Sequence, residues 1–328
     1  MNNFKKNKMI IFLVGFPRSG TTLLREILNN HSKIEFLSEE TGFIPYVINE
    51  IGIDVHFNYD TRKNIYHLFR KTIFFKRMKS KGLYFEPEIF CHNNELNTWD
   101  KVFEYIFEFF LSDKEVHIIG EKTPLYLNNM RLLKAIFPHA KFIHIIRDPR
   151  DVVLSMKKKW HRSIMRTAAR WEESIKNARD IGLELGNQVY FEVYYEIFIQ
   201  NPERCTENIC SFLNCIFENE MLQLKYPISS GGSLIDSTVI SASNKNKYTH
   251  YFSKKQIRKI EETCYDQLIQ LPYNLLYAKK EKKVKPTIYR MLWLYDIIGM
   301  TYSLAAEFGI IHSINEMISK YRESTHSR

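Results

Sequence analysis

Ile10-Ile11-Phe12-Leu13-Val14-Gly15-Phe16-Pro17-Arg18-Ser19-Gly20-Thr21-Thr22-Leu23-Leu24, near the start of a 328-residue chain, joins an unbroken apolar segment to a glycine-bounded turn. An amphipathic segment with Leu23, Leu24, Ile27 and Leu28 follows. Apolar residues without alternation mark a strand buried on both faces, and the spacing of the leucines marks a helix. Gly15 and Gly20 stand at G-x-x-x-x-G spacing, which lets backbone N–H groups wrap an anion while a helix N-terminus points at it. Where a nucleoside triphosphatase carries a lysine after the second glycine, this chain has Thr21, so a triphosphate would be poorly compensated. Arg18 restores one charge, and its planar fork suits oxygens of a phosphate or sulfuryl group. An ordinary strand-to-helix turn is the plainer alternative. The flanking strand, the helix and Arg18 together favour the anion cradle.

Outward from this loop, apolar runs rich in Ile, Val and Phe recur at residues 116–119, 142–146 and 189–194, separated by helical periodicity. The alternation predicts an α/β fold: a P-loop-like, three-layer arrangement with a central parallel sheet flanked by helices. Between the first two runs lies an aromatic and basic stretch, residues 59–110, expected to be helical, with one helix over 99–111, and to shape a substrate cleft. The run 142–146 passes directly into Arg147-Asp148-Pro149-Arg150-Asp151. Asp148 suits an N-cap and Pro149 the first helical position, so a helix begins there. Arg147 then sits at the carboxyl edge of the sheet, where ligands of open parallel sheets bind. Two anion sites on one rim suit a nucleotide with phosphates at both ends. Ser155, two turns on, would add a neutral donor. Lys157 and Lys158 read as a solvated face, and Arg147 pairing with a carboxylate at the helix start is the structural alternative.

The composition is that of a globular chain: 45% hydrophobic and 26% charged residues, with 12 Gly and 10 Pro, exclude disordered, collagen-like and disulfide-scaffold proteins. Lys and Arg number 47 against 37 Asp and Glu, a net charge of +10 with pI near 9.1, so an anionic partner is expected. Nucleic acid is not expected, because no recognition module accompanies the charge. Five cysteines, three of them at Cys205, Cys210 and Cys215, lack metal or redox spacing and read as reduced packing thiols. Residues 9–14 are too short an apolar run for a secretory leader and run on into Gly15-Phe16-Pro17-Arg18, which implies a cytoplasmic protein.

Residues 1–276 read as one catalytic domain and 277–328 as a basic, apolar, helical C-terminal extension. The extension opens with Lys279-Lys280-Glu281-Lys282-Lys283-Val284-Lys285, and its longest uncharged part, residues 297–306, is shorter than the roughly 18 apolar residues a spanning helix needs. A helix docked on the domain and a helix resting on a membrane surface are the two readings, the second implying peripheral membrane association.

Taken together, these motifs resemble the sulfotransferases that use 3′-phosphoadenosine 5′-phosphosulfate (PAPS). The stretch from Gly15 to Leu24 is similar to their 5′-phosphosulfate loop, and residues 142–155 to their 3′-phosphate element. Tyr190-Phe191-Glu192-Val193-Tyr194-Tyr195-Glu196, Asn201-Pro202-Glu203 and Ile209-Cys210-Ser211-Phe212-Leu213 resemble a later strand and helix, so the likeness runs from about Met9 to Pro272. Ser38-Glu39-Glu40-Thr41 and Gly120-Glu121-Lys122-Thr123-Pro124 bring the chain nearest to the tyrosylprotein-sulfotransferase-like and bacterial branch. The resemblance implies that Arg18, Ser19, Gly20, Thr21 and Thr22 hold the 5′-phosphosulfate and that Arg147, Ser155 and Lys159 hold the 3′-phosphate. Tyr195 and Lys247 would meet the rest of the nucleotide, Lys247 through a loose match of Ser243-Asn244-Lys245-Asn246-Lys247-Tyr248 to a closing loop. In one departure, Gly42 stands where the protein-tyrosine enzymes carry an arginine for acidic peptides, and their secretory anchor is not seen.

Sulfuryl transfer needs positioning and charge stabilisation more than covalent help, and no metal is demanded. Glu40 is the expected base for a hydroxyl-bearing acceptor, with Glu39 its nearest competitor, whereas His31 at the end of the loop helix is expected to pack or cap. Lys122 would neutralise the oxygen between phosphorus and sulfur, and Arg18 would steady the sulfuryl oxygens. The acceptor reads as a carbohydrate, glycolipid or small molecule rather than protein tyrosine. Phe69, Phe74, Phe75, Tyr84 and Phe85 would fit an amphiphilic acceptor, and they fit packing equally. Two alternatives remain: a P-loop kinase-like phosphotransferase, against which no strand ends in a clean Mg²⁺-binding aspartate, and a non-catalytic nucleotide-binding protein.

Overall fold

The computed structural model describes residues 8–112, 115–224 and 240–308, the side chains of 303–308 apart. Strand β1 (Met9–Gly15) is buried along nearly its whole length, and every strand in its sheet is parallel. With β2 (Ile34–Phe36), β3 (Ile118–Glu121), β4 (Lys141–Ile146) and β5 (Tyr190–Tyr194), the order is β2-β3-β1-β4-β5. The unbroken apolar run therefore marks the central strand, as burial on both faces requires.

Alternation of side chains along β1 produces the three layers. Ile10, Phe12 and Val14 enter one core, with Phe142, Ile146 and the insert helices; Ile11 and Leu13 enter the other, with Leu24, Ile27, Ile209 and Leu213. The insert folds as helices Tyr59–Phe69, Ile73–Ser80, Pro87–His92 and Trp99–Phe110. Its aromatic residues are core: Phe69, Phe74, Phe75 and Phe85 are buried in ring contacts with one another and with Phe43, Phe90 and Phe110. Of the aromatics that fitted an amphiphilic acceptor, Tyr84 alone is exposed.

Two details depart from the sequence pattern. Strand β3 starts two residues later than the apolar run at 116–119, because its pairing opens at Ile118 against Met9 and Ile34. Strand β2, three residues long, has no counterpart in the sequence reading. Its register is held from both sides, by Asn29 Oδ1 accepting from the Phe36 N–H (2.7 Å) and by Gly120, where a Cβ would come within 2.4 Å of the Phe36 ring. All five cysteines are free.

Helix Pro149–Trp160 begins as its sequence demands, with Asp148 accepting from the Arg150 N–H (2.8 Å) and Pro149 at the first position. The Arg150 guanidinium is buried between Asp148 (2.7 Å) and Glu261 (2.7 Å), and Glu261 also accepts from the N–H groups of Leu276, Tyr277 and Ala278. This network ties the chain leaving the α/β core to the element that carries Arg147. The last described element is helix Pro286–Phe308. It docks through Asp296, which accepts from Arg166 (2.7 Å) and from the Ser163 N–H (2.7 Å). Among the described residues, no helix is long and apolar enough to cross a membrane.

Candidate active site

The loop after β1 is strained in a manner that aims it. Arg18 adopts φ 74° and Gly20 φ 100°, both left-handed, the second at the N-cap of helix Thr21–Asn29. A Cβ on Gly20 would lie 2.5 Å from the Tyr195 ring, so only glycine admits the ring against the backbone here. Among the described residues no side chain caps this helix, which leaves the N–H groups of its first turn free to face an anion. Ser19 is fully buried, and its Oγ has no partner among the described residues. Thr21 is buried and Thr22 exposed at the start of the helix.

Arg147 reaches this loop from the end of β4. Its Nη1 donates to the Arg18 carbonyl (3.2 Å) and its Nη2 to the Asn244 carbonyl (3.2 Å), while its Nε is buried with no partner among the described residues. The guanidinium lies 4.3 Å from the Tyr195 ring centroid, and the Tyr195 hydroxyl accepts from Asn244 Nδ2 (2.7 Å). Arg18 Nε donates to Ser155 Oγ (3.0 Å), and its guanidinium lies 5.7 Å from the Trp160 ring. Burial and the neighbouring Arg147 charge push the Arg18 guanidinium below its ordinary value, against a smaller contribution from Tyr195. Two arginines in one place, with an orphaned hydroxyl and an orphaned guanidinium N–H, form a cluster short of negative charge. The donor set fits a nucleotide bearing separate 5′ and 3′ anionic groups.

Arg18, Ser19, Gly20, Thr21, Ser155, Arg147 and Tyr195 thus come together across three elements. Lys159 is half-buried in the last turn of helix Pro149–Trp160. Lys247 is exposed in the turn Lys247–His250, and the contact from this segment to Arg147 is made instead by Asn244. The quoted match at 243–248 contained Asn244, but a backbone carbonyl leaves no residue-type signature.

Glu39 and Glu40 occupy different surroundings. Glu39 turns outward to Lys81 (2.6 Å) and Arg77 (3.3 Å); burial raises its carboxyl, but those cations outweigh it and hold it below its ordinary range. Glu40 instead meets Lys122 at 2.5 Å, and its side chain is 48% exposed where that of Lys122 is 6%. A buried ammonium thus presents a carboxylate to solvent beside the carboxyl ends of β1 and β3. His31 lies elsewhere, its Nε2 donating to the Ile216 carbonyl (2.9 Å) and its Nδ1 accepting from the Lys33 N–H (2.9 Å).

Beneath this pair is a residue that the sequence reading passed over. Glu121 is fully buried and accepts from Thr41 N (3.2 Å), Thr41 Oγ1 (2.9 Å), Thr123 N (3.0 Å) and Thr123 Oγ1 (2.5 Å). It joins the residue after Glu40 to the residue after Lys122. Burial pushes its carboxyl up to about 7, with the Thr donors opposing and the Glu40 charge adding to the rise. Tyr126 completes the support, its hydroxyl bonded to Thr41 Oγ1 (2.8 Å) and accepting from the Ile44 N–H (3.1 Å).

A parallel sheet with a glycine-bounded loop and a second arginine on one edge defines an α/β protein whose ligand-binding edge gathers positive charge. The chain belongs to the sulfotransferase family, whose model matches residues 11–219. It is 26% identical over 249 residues to protein-tyrosine sulfotransferase 1 of Danio rerio, covering 72% of this chain and 61% of that protein. To protein-tyrosine sulfotransferase 2 of Gallus gallus it is 24% identical over 247 residues, covering 70% and 58%. The chain spans about three-fifths of the length of these relatives. Among solved structures, the sulfotransferase domain from the curacin biosynthetic pathway shares the fold, with TM-score 0.57 and 20% identity over 83% of this chain and 100% of that one.

Proposed function

We propose that this chain transfers a sulfuryl group from PAPS to the hydroxyl of an acceptor, within a catalytic unit formed by residues 1–276, with 277–328 an extension of it. The observation that carries the proposal is that the Arg18–Ser155–Arg147 cluster and the Glu40–Lys122 pair stand at the carboxyl ends of the neighbouring strands β4, β1 and β3. When bound, PAPS supplies a sulfuryl group whose bond to the bridging oxygen breaks as the bond to the acceptor oxygen forms. The first-turn N–H groups after Gly20, with Ser19 and Arg18, hold the 5′ end; Arg147 and Ser155, with Lys159 nearby, hold the 3′ end; Tyr195 and Lys247 flank the nucleotide. Glu40 takes the proton of the acceptor hydroxyl, and Lys122, released from that carboxylate, compensates negative charge on the departing side. These residues perform the reaction without a metal. The favoured acceptor is a carbohydrate, glycolipid or small molecule, because Gly42, where an added Cβ would meet nothing within 4 Å among the described residues, stands where the protein-tyrosine enzymes are expected to carry an arginine.

The test is calorimetric titration with 3′,5′-adenosine bisphosphate, set against 5′-AMP and against ATP with Mg²⁺. Tight binding that requires the 3′-phosphate is expected. Preference for ATP would sink the proposal in favour of a phosphotransferase.

A further inference from the structure

Helix Pro286–Phe308 is apolar on more than the side it packs with. Its docked side presents Asp296 to Arg166 and Ser163, and Gly299 to the backbone of His161, where a Cβ would come within 2.9 Å of the carbonyl oxygen. Tyr289 on the same side stacks 5.0 Å from the Arg166 guanidinium. The opposite side carries Ile288, Met291, Tyr295, Ile298 and Tyr302 at alternating steps of three and four, a continuous stripe along the helix. Met291, Ile298 and Tyr302 are 70%, 71% and 68% exposed, and Leu294, 57% exposed, widens the stripe. A continuous exposed apolar stripe of this kind marks a contact surface.

Charge identifies the partner. Lys279, Lys280, Lys282, Lys283, Lys285 and Arg290 lead into or lie on the first turns of the helix, all exposed, against Glu281 alone, which pairs with Lys283 at 3.4 Å. Asp296, the next acidic residue, is buried and already committed to arginines. Lys157 and Lys158 add exposed charge one turn before His161, where the helix docks. A second copy laid alongside in parallel would bring two such basic runs together. A bilayer with anionic headgroups complements both features, with the lysines at headgroup level and Met291, Leu294, Ile298 and the aromatic rings at the acyl boundary.

We propose that helix Pro286–Phe308, fixed to the domain by Asp296, is a platform by which this protein lies on an anionic membrane surface without crossing it. The proposal stands on this helix and its basic approach and is independent of the nucleotide reading. It is tested by co-sedimentation of the full chain with vesicles of phosphatidylcholine alone or with 30% phosphatidylserine, at about 0.1 M salt and at about 0.5 M, where charges are strongly screened. Binding to the anionic vesicles, lost at high salt, is expected. Each basic residue near the surface contributes about fivefold in affinity, so K282E/K283E/K285E should lose about a hundredfold or more. M291S/I298S should lose about tenfold or more as apolar area is removed from the boundary. Thermal melts by circular dichroism confirm that both variants fold. Equal binding to neutral vesicles, or no binding to either, overturns the proposal. So does a mass by light scattering of twice the chain that M291S/I298S halves, which would make a second copy the partner.

Discussion

Glu121→Gln tests the buried link beneath the Glu40–Lys122 pair. Burial holds the Glu121 carboxyl at about 7, against an ordinary value of 4.5. Between those values the unfolded chain has released its proton and the folded chain retains it. The unfolded state then binds fewer protons, so this group makes stability fall as pH rises through the window and leaves it flat above about 7. Integrated from pH 5 to pH 8, at about 1.4 kcal/mol per pH unit, the loss is about 2.5 kcal/mol. Glutamine titrates nowhere in this range. Its amide also cannot accept from both Thr41 N, which bonds one carboxyl oxygen, and Thr123 N, which bonds the other, and that mismatch is a constant cost at every pH.

The assay is urea unfolding of both proteins at pH 5, 6, 7 and 8, with stability differences taken at each pH. Glu104, Glu172 and Glu196 are also pushed up to about 7 by burial, but they contribute equally to both proteins and cancel. Relative to the wild type, the variant should gain about 2.5 kcal/mol between pH 5 and pH 8. A difference that stays flat, or a wild type that gains instead, would show that the four Thr donors keep Glu121 ionised and would refute the reasoning. Activity adds a second readout. If Glu121 holds Thr41 and Thr123 in register, the variant should lose kcat with little change in nucleotide affinity.

Glu40→Gln should reduce sulfuryl transfer by about a hundredfold or more with nucleotide binding intact, while Glu39→Gln, which breaks only outward ion pairs, should stay within about twofold; steady-state kinetics on a common acceptor decides, and the reverse ranking assigns the base to Glu39. Arg147→Ala should weaken 3′,5′-adenosine bisphosphate by about 10- to 100-fold and 5′-AMP far less, by calorimetry, since it deletes the charged donor proposed for the 3′-phosphate. Gly20→Ala puts a Cβ 2.5 Å from the Tyr195 ring at φ 100°, so a loss of about 1–3 kcal/mol in thermal stability and weaker nucleotide binding should appear together.

What the sequence disclosed follows from where each piece of information resides. The central strand, the glycine-bounded loop and the Asp148-Pro149 helix start are local: burial on both faces, the left-handed turn at Gly20 and the cap each act through residues within a few positions. The four longer strands were legible for that reason, whereas β2, three residues at a sheet edge, is held by Asn29 and Phe36 packing on Gly120 and has no pattern to read. The choice between Glu39 and Glu40 is a tertiary fact. Adjacent carboxylates of one type differ because helix Ile73–Ser80 and Lys81 bring cations to the first, and the edge of β3 brings Lys122 to the second. Glu121 was hidden more deeply. Beside Lys122 it resembles any acidic neighbour at the end of a strand, and its role arises from Thr41, 80 residues away. A side chain whose partners are backbone and hydroxyl groups at long range carries no motif of its own. Where a motif places two reacting groups on separate segments, the residues next to those groups are the ones to inspect, because the segments must be fastened to each other there.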